Sequence, residues 1–141
     1  MKQSAPRNND SNHHTDSKVL SITIFQIVYI FDRTSKILKM NFETLREYCI
    51  SKKGATEGFP FGENTLVFKA RGKIFALANL DGDLSINLKC EPDFAIELRE
   101  KYPAVTPGYH MNKKHWNTVI LDGSVPDKEV FSWIDHSYSL V

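Results

Sequence analysis

Three strand-like segments joined by two tight turns occupy the middle of the chain, in "NTLVFKARGKIFALANLDGDLSINLK" at residues 64–89. The first two segments, 64–70 and 73–79, are strand-like and are separated only by Arg71 and Gly72. Gly72 can adopt the positive φ that a two-residue hairpin needs. In the third segment, "LSINLK", apolar and polar residues alternate. The pattern predicts an antiparallel meander with one packed face and one face in water.

Three helical patterns surround these strands. In "MNFETLREYCISKKG" the apolar residues fall at i, i+3, i+6 and i+7, and Asn41 stands where it can cap the first turn. A second helix is predicted at residues 92–102, with Ile96 buried in part, and a third at about residues 126–138. We therefore expect an α+β fold, an antiparallel sheet with helices packed on one face.

The first 39 residues differ in composition from the rest. They carry six Lys/Arg and three Asp/Glu, a net charge of +3, whereas residues 40–141 carry twelve and fourteen, a net charge of −2. The polar start of this segment lacks apolar periodicity and is predicted to be disordered. The run "VLSITIFQIVYIF" at 19–31 is shorter than the ~20 apolar residues of a membrane span and makes a poor signal peptide.

Three interpretations of the run at 19–31 remain: an additional strand, an interfacial or targeting segment, or translated sequence upstream of the true start. We favour the last because a helical pattern opens cleanly at Met40. The predicted organisation is therefore a disordered or upstream extension outside the fold at residues 1–39, and one domain at residues 40–141.

Composition excludes several classes of protein. A mildly acidic domain is not typical of strong non-specific nucleic-acid binding, so anion binding would have to depend on a local patch. Cys49 and Cys90 are forty-one positions apart and match neither a zinc pattern nor a disulfide scaffold. We interpret them as reduced thiols in a cytoplasmic protein that has no membrane segment.

Motifs of known catalytic chemistry are missing from the sequence. There is no glycine-rich phosphate loop, no G-x-S-x-G, no H-E-x-x-H and no C-x-x-C. His110 and His115 are five residues apart, which is neither the i,i+4 spacing of a helix nor the i,i+2 spacing of a strand. His136 is expected to cap or pack. The sequence thus predicts no catalytic residues, no metal, no cofactor and no enzymatic activity.

The stretch "GYHMNKKHWNTV" at residues 108–119 is the strongest candidate for a functional site. Its lysines, histidines, asparagines and aromatic residues are the types that contact phosphate, sugar or base. The alternative is that Tyr109 and Trp116 belong to the core while the lysines keep a loop in water.

Two further features lie near the predicted hairpin. Lys69, Arg71 and Lys73 cluster at its tip, where they could be a solvated turn or a basic wing that touches phosphate. The preceding "FPFG", which contains Phe59 and Phe61, we interpret as a core plug at a sheet edge rather than as part of a ligand pocket.

From Met40 to Val141 the sequence resembles the MmcQ/YjbR family of small bacterial proteins. The resemblance is carried by "LREYC", "PFGENTLVFKARGKIFAL", "INLKCEPDFAIELREKYPAVTPGYHMNKKHWNTVILDGSVPD" and "WIDHSYSLV". It implies a frataxin-like (CyaY-like) domain and a predicted DNA-binding role with a "double wing" arrangement. Two departures from the family are residues 1–39 and the absence of a short basic and apolar tail after Val141.

Within the resemblance, Lys89 and Pro92 match a K-c-x-P motif, and residues 107–116 match P-G-Y-H-M-N-K-K-H-W. We therefore predict a DNA-binding protein that contacts phosphates through the basic hairpin and this loop. The predicted nucleic-acid-binding residues are Lys69, Arg71, Lys73, Lys89, Tyr109, His110, Asn112, Lys113, Lys114, His115 and Trp116.

The alternative function is a small protein-interaction or ligand-binding domain with no nucleic-acid role. It would require Tyr109, His110, Lys113 and Trp116 to converge on a concave site rather than spread along a convex ridge. An iron-handling role by analogy with frataxin has the least support, because the acidic residues of the first helix are few and alternate with basic ones.

Overall fold

The computed structural model describes residues 40–141, so the prediction for residues 1–39 lies outside the described residues. Nine helices and strands follow one another in this part of the chain. They are α1 (Phe42–Ile50), β1 (Ala55–Gly58), β2 (Thr65–Ala70), β3 (Lys73–Asn79), β4 (Ser85–Lys89), α2 (Pro92–Lys101), β5 (Val105–Pro107), β6 (Trp116–Ile120) and α3 (Asp127–Ser139). Within residues 40–141, each helix is too short or too polar to cross a membrane.

All six strands form one antiparallel sheet in the order β1-β2-β3-β4-β6-β5. After β4 the chain passes through α2, forms the edge strand β5 and returns through residues 108–115 to enter the sheet as β6. The predicted α+β fold with an antiparallel sheet is confirmed. Strands β1 and β5 were not predicted, because four and three residues are too few to show alternation.

The main hydrophobic core lies between the sheet and the three helices. Each helix contributes buried residues to it, for example Leu45 from α1, Leu98 from α2 and Trp133 from α3. The sheet contributes residues such as Phe68 and Ile86. The helices therefore pack on one face, as predicted, and the opposite face is left without a helix in the described part of the chain.

A β-bulge in β3 sets which side chains reach this second face. Ala76 pairs with Phe68 and Ile74 pairs with Lys69, so Phe75 is the extra residue. Phe75 and Ala76 both lie in the core under the helices, while Ile74 packs with residues of the second face. The bulge thus adds an aromatic ring to the core without shifting the rest of the strand out of alternation.

The predicted local signals for turns and helix starts are confirmed. Arg71 and Gly72 have φ of 54° and 76°, the two positive values of a type I′ hairpin turn. The Asn41 side chain accepts a hydrogen bond from the Thr44 amide at 2.8 Å, which caps α1. His136 packs edge-on against the ring of Phe94 and its Nε2 accepts the Glu91 amide at 3.3 Å.

Ile96, predicted to be buried in part, is 50% exposed, and Ala95 of the same helix is fully buried. One prediction of burial was wrong. Asn87, predicted to face water, is only 3% exposed. Its side chain donates to the Tyr109 carbonyl, and the loop that follows β5 covers it.

Candidate functional site

The segment singled out in the sequence, residues 108–115, forms the loop between β5 and β6 and lies back across the helix-free face of the sheet. Gly108 begins the loop, and its amide donates to the Trp116 carbonyl at 2.8 Å. A Cβ at position 108 would stand 2.7 Å from the Trp116 Cβ. The loop can therefore approach β6 this closely only with glycine at its first position.

Tyr109 is tied to the sheet through its backbone. Its amide donates to Thr118 Oγ1 at 2.9 Å, and its carbonyl accepts from Asn87 Nδ2 at 3.2 Å. The phenol ring is 65% exposed, and its centroid lies 3.9 Å from that of the His110 ring. Because the peptide is held and the ring is not buried, Tyr109 presents an aromatic surface above the sheet.

A hydrogen-bonded network of side chains lies beneath this loop. Asn87 Oδ1 accepts from Thr118 Oγ1 at 2.8 Å and from Asn79 Nδ2 at 3.3 Å. Asn79 Nδ2 also donates to Ser85 Oγ at 3.0 Å. The network fixes the orientation of the Asn87 amide, because its oxygen accepts and its nitrogen donates. It also ties the Asn79 nitrogen to two acceptors. Polar groups on this face are thus positioned before any ligand arrives.

Loop and sheet together enclose a cleft of about 810 Å³, which we call the open-face cleft. Its volume lies within the range of pockets for small molecules. The lining combines amides, hydroxyls, apolar side chains, aromatic rings and two carboxylates: Phe61, Asn64, Thr65, Leu77, Asn79, Asp81, Asp83, Ser85, Asn87, Thr106, Tyr109, His110, Met111, Thr118 and Ile120. Among the described residues, no lysine or arginine lines it.

An apolar cluster supports one end of the cleft. Trp116, Val67 and Leu77 are buried against one another on this face, and Met111 of the loop packs onto them. Tyr109 and His110 line the cleft, whereas Lys113 and Trp116 do not. The alternative function required four residues to converge on a concave site. Tyr109 and His110 lie on it, Trp116 lies in the apolar cluster that supports it, and Lys113 lies outside it.

Arg99 of α2 holds the loop from the helix side, a role that the sequence did not reveal. Its Nε donates to the buried Asn117 side chain at 2.7 Å, and its Nη2 donates to the Lys113 carbonyl. Asn117 in turn donates to the Ala95 carbonyl at 3.3 Å. A helix residue and a β6 residue thus fix the middle of the loop. No spacing in the sequence brings position 99 next to position 113.

The polar residues of the loop are partly used inside it. Lys113 Nζ donates to the Gly108 carbonyl at 2.9 Å, and Asn112 Oδ1 accepts from the Lys114 amide at 2.9 Å. The His115 carbonyl accepts from the Cys90 amide at 2.7 Å. The Lys114 side chain is exposed. Of the two adjacent lysines, one closes the loop and the other faces solvent.

The basic residues predicted around the hairpin lie at the same end of the sheet as the start of this loop. Here β2 ends and β3 begins, and β4 ends beside the start of β6. We call this the hairpin end. Lys73 is exposed, while Lys69 and Lys89 are half-buried. Arg71 is engaged elsewhere, since its Nε donates to the Val141 carbonyl at 3.1 Å and its guanidinium lies 5.3 Å from the Tyr138 ring centroid.

The aromatic turn before β2 is not a core plug, contrary to the prediction. Phe59 and Phe61 are 50% and 66% exposed. Phe61 lines the open-face cleft, and Phe59 lines a smaller cleft of about 420 Å³ beside β1 together with Lys69. Both rings therefore lie on clefts rather than in the core.

The cysteines lie apart from the open-face cleft. Burial raises the pKa of the Cys49 thiol to about 12 and that of Cys90 to about 11, so neither is a thiolate near neutral pH. In the described residues, no three His, Cys, Asp or Glu side chains are grouped closely enough to hold a metal ion.

Known proteins resemble this chain in both sequence and structure. The family model described as YjbR matches residues 50–140. The protein YjbR of Escherichia coli K12 is 34% identical over 100 residues, which cover 70% of this chain and 85% of that one. YbdF of Escherichia coli O157:H7 is 42% identical over 84 residues, 59% of this chain and 69% of that one.

Two solved structures share the fold. The crystal structure of Deinococcus radiodurans protein DR2400, whose domain is DUF419, aligns with a TM-score of 0.67 at 41% identity, over 70% of this chain and 76% of that one. The crystal structure of a Pseudomonas syringae protein aligns with a TM-score of 0.64 at 32% identity, over 72% and 98%. With a matching family model and bacterial relatives of this identity, the chain belongs to the YjbR family.

Proposed function

We propose that this domain binds a small molecule in the open-face cleft. The observation that carries the proposal is the pairing of a cleft of about 810 Å³ with a network that already orients its polar groups. Binding loses less free energy to ordering when the groups that contact the ligand are held in place beforehand. Small-molecule sites are usually lined by apolar side chains and a few oriented polar groups, and this cleft has that composition.

The proposed role is binding without catalysis. The two thiols are buried, and the pKa of each is raised, which makes them poor nucleophiles. His110, the histidine that lines the cleft, stands beside Tyr109 and has no cysteine or serine partner in the hydrogen bonds of the described residues. We further propose that the protein acts in the cytoplasm, where reduced cysteines are stable.

The test is a fragment screen by ¹H–¹⁵N NMR on the full chain. Fragments with a flat ring should shift the amides of residues 79–87, 106–111 and 118 as a group. Tyr109→Ala should weaken these fragments several-fold, because its exposed ring is lost while its backbone bonds remain. Ile96→Ala serves as the control, since Ile96 is an exposed apolar residue of α2, on the helix side. Shifts confined to other surfaces would contradict the proposal.

A second candidate is DNA binding through the hairpin end. It is supported by the exposed Lys73 and Lys114 and the half-buried Lys69 and Lys89, which share this end of the sheet. These residues could contact phosphates without entering the open-face cleft. A protein partner with an acidic surface would contact the same lysines. Binding of such a partner is the other alternative for the hairpin end.

Fluorescence anisotropy of labelled duplex DNA, from low to physiological salt, tests this candidate. DNA binding predicts an affinity that falls with salt, at a log–log slope of about −0.9 for each phosphate contacted. The variant Lys73→Ala/Lys114→Ala should flatten that slope, whereas Lys101→Ala/Lys128→Ala, which removes two exposed lysines elsewhere, should not. Absence of binding at low salt would exclude the candidate.

A further inference from the structure

The charges around the open-face cleft are distributed unevenly. Asp81 and Asp83 lie in the turn between β3 and β4, and both carboxylates line the cleft at the end of the sheet opposite the hairpin end. Neither forms a hydrogen bond or ion pair with another residue in the described part of the chain. The lysines at the hairpin end are separated from them by the length of the strands. The local charge at the cleft is therefore negative, although the protein as a whole has a net charge of +1.

One side of the cleft presents hydrogen-bond acceptors. Asn79 uses Nδ2 to donate to Ser85 and Asn87, and its Oδ1 accepts no hydrogen bond from the described residues. With the two carboxylates, this oxygen gives three acceptors on one side of the cleft. Thr118 Oγ1 is already engaged as both donor and acceptor. A ligand that brings donors is therefore matched on this side of the cleft.

Exposed aromatic rings stand on the cleft as well. Phe61 and Tyr109 belong to different loops, are 66% and 65% exposed, and both line it. Aromatic faces attract flat rings and cations. Leu77 and Met111 add apolar surface between the polar groups.

We propose that the ligand of the open-face cleft is a small organic cation, a flat ring that carries a protonated amine or amidine. The ring packs between the exposed aromatic residues and the apolar floor, and the cationic group donates to Asp81, Asp83 and Asn79. This inference rests on the proposed small-molecule function and assigns the chemical class of its ligand. It excludes phosphate-bearing ligands from the cleft, because they would face two carboxylates without a lysine or arginine partner there.

Three probes of nearly identical shape test the charge preference on the full chain: benzamidine, which is cationic, benzamide, which is neutral, and benzoate, which is anionic. Titrations followed by ¹H–¹⁵N NMR at low salt should give the order benzamidine, benzamide, benzoate, from tight to weak. The shifts should fall on residues 79–87 and 106–111. Added salt should reduce the advantage of benzamidine, because the carboxylates are exposed.

The variant Asp81→Asn/Asp83→Asn should weaken benzamidine about five-fold, the effect of two exposed charge contacts, and leave benzamide unchanged. Glu97→Gln/Glu100→Gln removes the same charge from exposed positions of α2 and should change neither affinity. Thermal unfolding of both variants checks that they fold.

The outcomes separate the inference from the function on which it rests. Benzoate binding as tightly as benzamidine would overturn the cationic ligand and leave a small-molecule site, as would an unchanged benzamidine affinity in Asp81→Asn/Asp83→Asn. If none of the three probes shifted the cleft residues, both the inference and the small-molecule function would be contradicted.

Discussion

Gly108 and Trp116 approach each other so closely that a Cβ at position 108 would stand 2.7 Å from the Trp116 Cβ and 3.0 Å from its carbonyl oxygen. Gly108→Ala must therefore separate the loop from β6. We expect a loss of about 1–3 kcal/mol in the free energy of unfolding, the usual effect of overpacking. Gly58→Ala is the control, because a Cβ at position 58 meets nothing within 4 Å. Urea denaturation measures both, and equal stability of the two variants would contradict the close contact.

Arg99→Ala should loosen the loop and destabilise the domain. It removes the donor to the buried Asn117 Oδ1 and the bond to the Lys113 carbonyl. A buried acceptor left without its partner costs about 1–3 kcal/mol. Hydrogen exchange of the Met111 and His115 amides should accelerate, while Glu100→Ala, an exposed neighbour, should leave it unchanged. Unaltered exchange in Arg99→Ala would mean that the loop is held by its other contacts, with Asn87, Cys90 and β6.

Cys49 should make the domain less stable at high pH. Its pKa is raised from 9.0 to about 12 by burial, so between these values the unfolded chain ionises and the folded chain does not. The stabilisation is complete below pH 9 and is lost as pH rises toward 12. At pH 10 the free energy of unfolding should be lower by about 1.4 kcal/mol than at neutral pH from this thiol.

The measurement compares urea unfolding at pH 7 and pH 10 for the natural chain and Cys49→Ala. The variant is less stable at both values because a buried side chain is truncated, but its loss between them should be smaller. Parallel pH dependence in the two proteins would show that the thiol ionises equally in the folded and unfolded states.

Asn41→Ala should destabilise α1 by about 1 kcal/mol, the typical value of an N-cap. The side chain accepts the Thr44 amide at 2.8 Å, and alanine cannot replace that acceptor. Asn41→Asp keeps the acceptor and places a negative charge at the helix N-terminus, so it should preserve or raise stability. Thermal unfolding distinguishes the variants, and equal melting temperatures for alanine and aspartate would argue against capping.

Local sequence patterns determined most of the secondary structure. The alternation in "LSINLK", the Arg71-Gly72 turn and the Asn41 cap each depend on residues close together in the chain, so they could be read without the fold. Strand β5 could not be predicted in this way, because three residues are too few to show alternation. Its pairing with β6 joins two segments that are separated by the loop.

The open-face cleft could not be predicted from local sequence patterns. The sequence indicated that residues 108–116 were important and offered Trp116 in the core as one of two alternatives. It did not indicate that Asn87, Thr118 and Asn79 would lie beneath Tyr109 as a network. Those contacts join four separate segments, and their distances depend on the strand order.

The sequence by itself therefore determined the three helices, the central strands, the packed face and the identity of the loop, because hydrophobic period, turn residues and caps act over a few positions. Only the tertiary structure decided that Arg99 holds the loop, that Lys113 closes it, and that Asp81 and Asp83 share a cleft with Tyr109. The physical reason is that the sheet places β6 between β4 and β5, so residues distant in the chain become neighbours on one face.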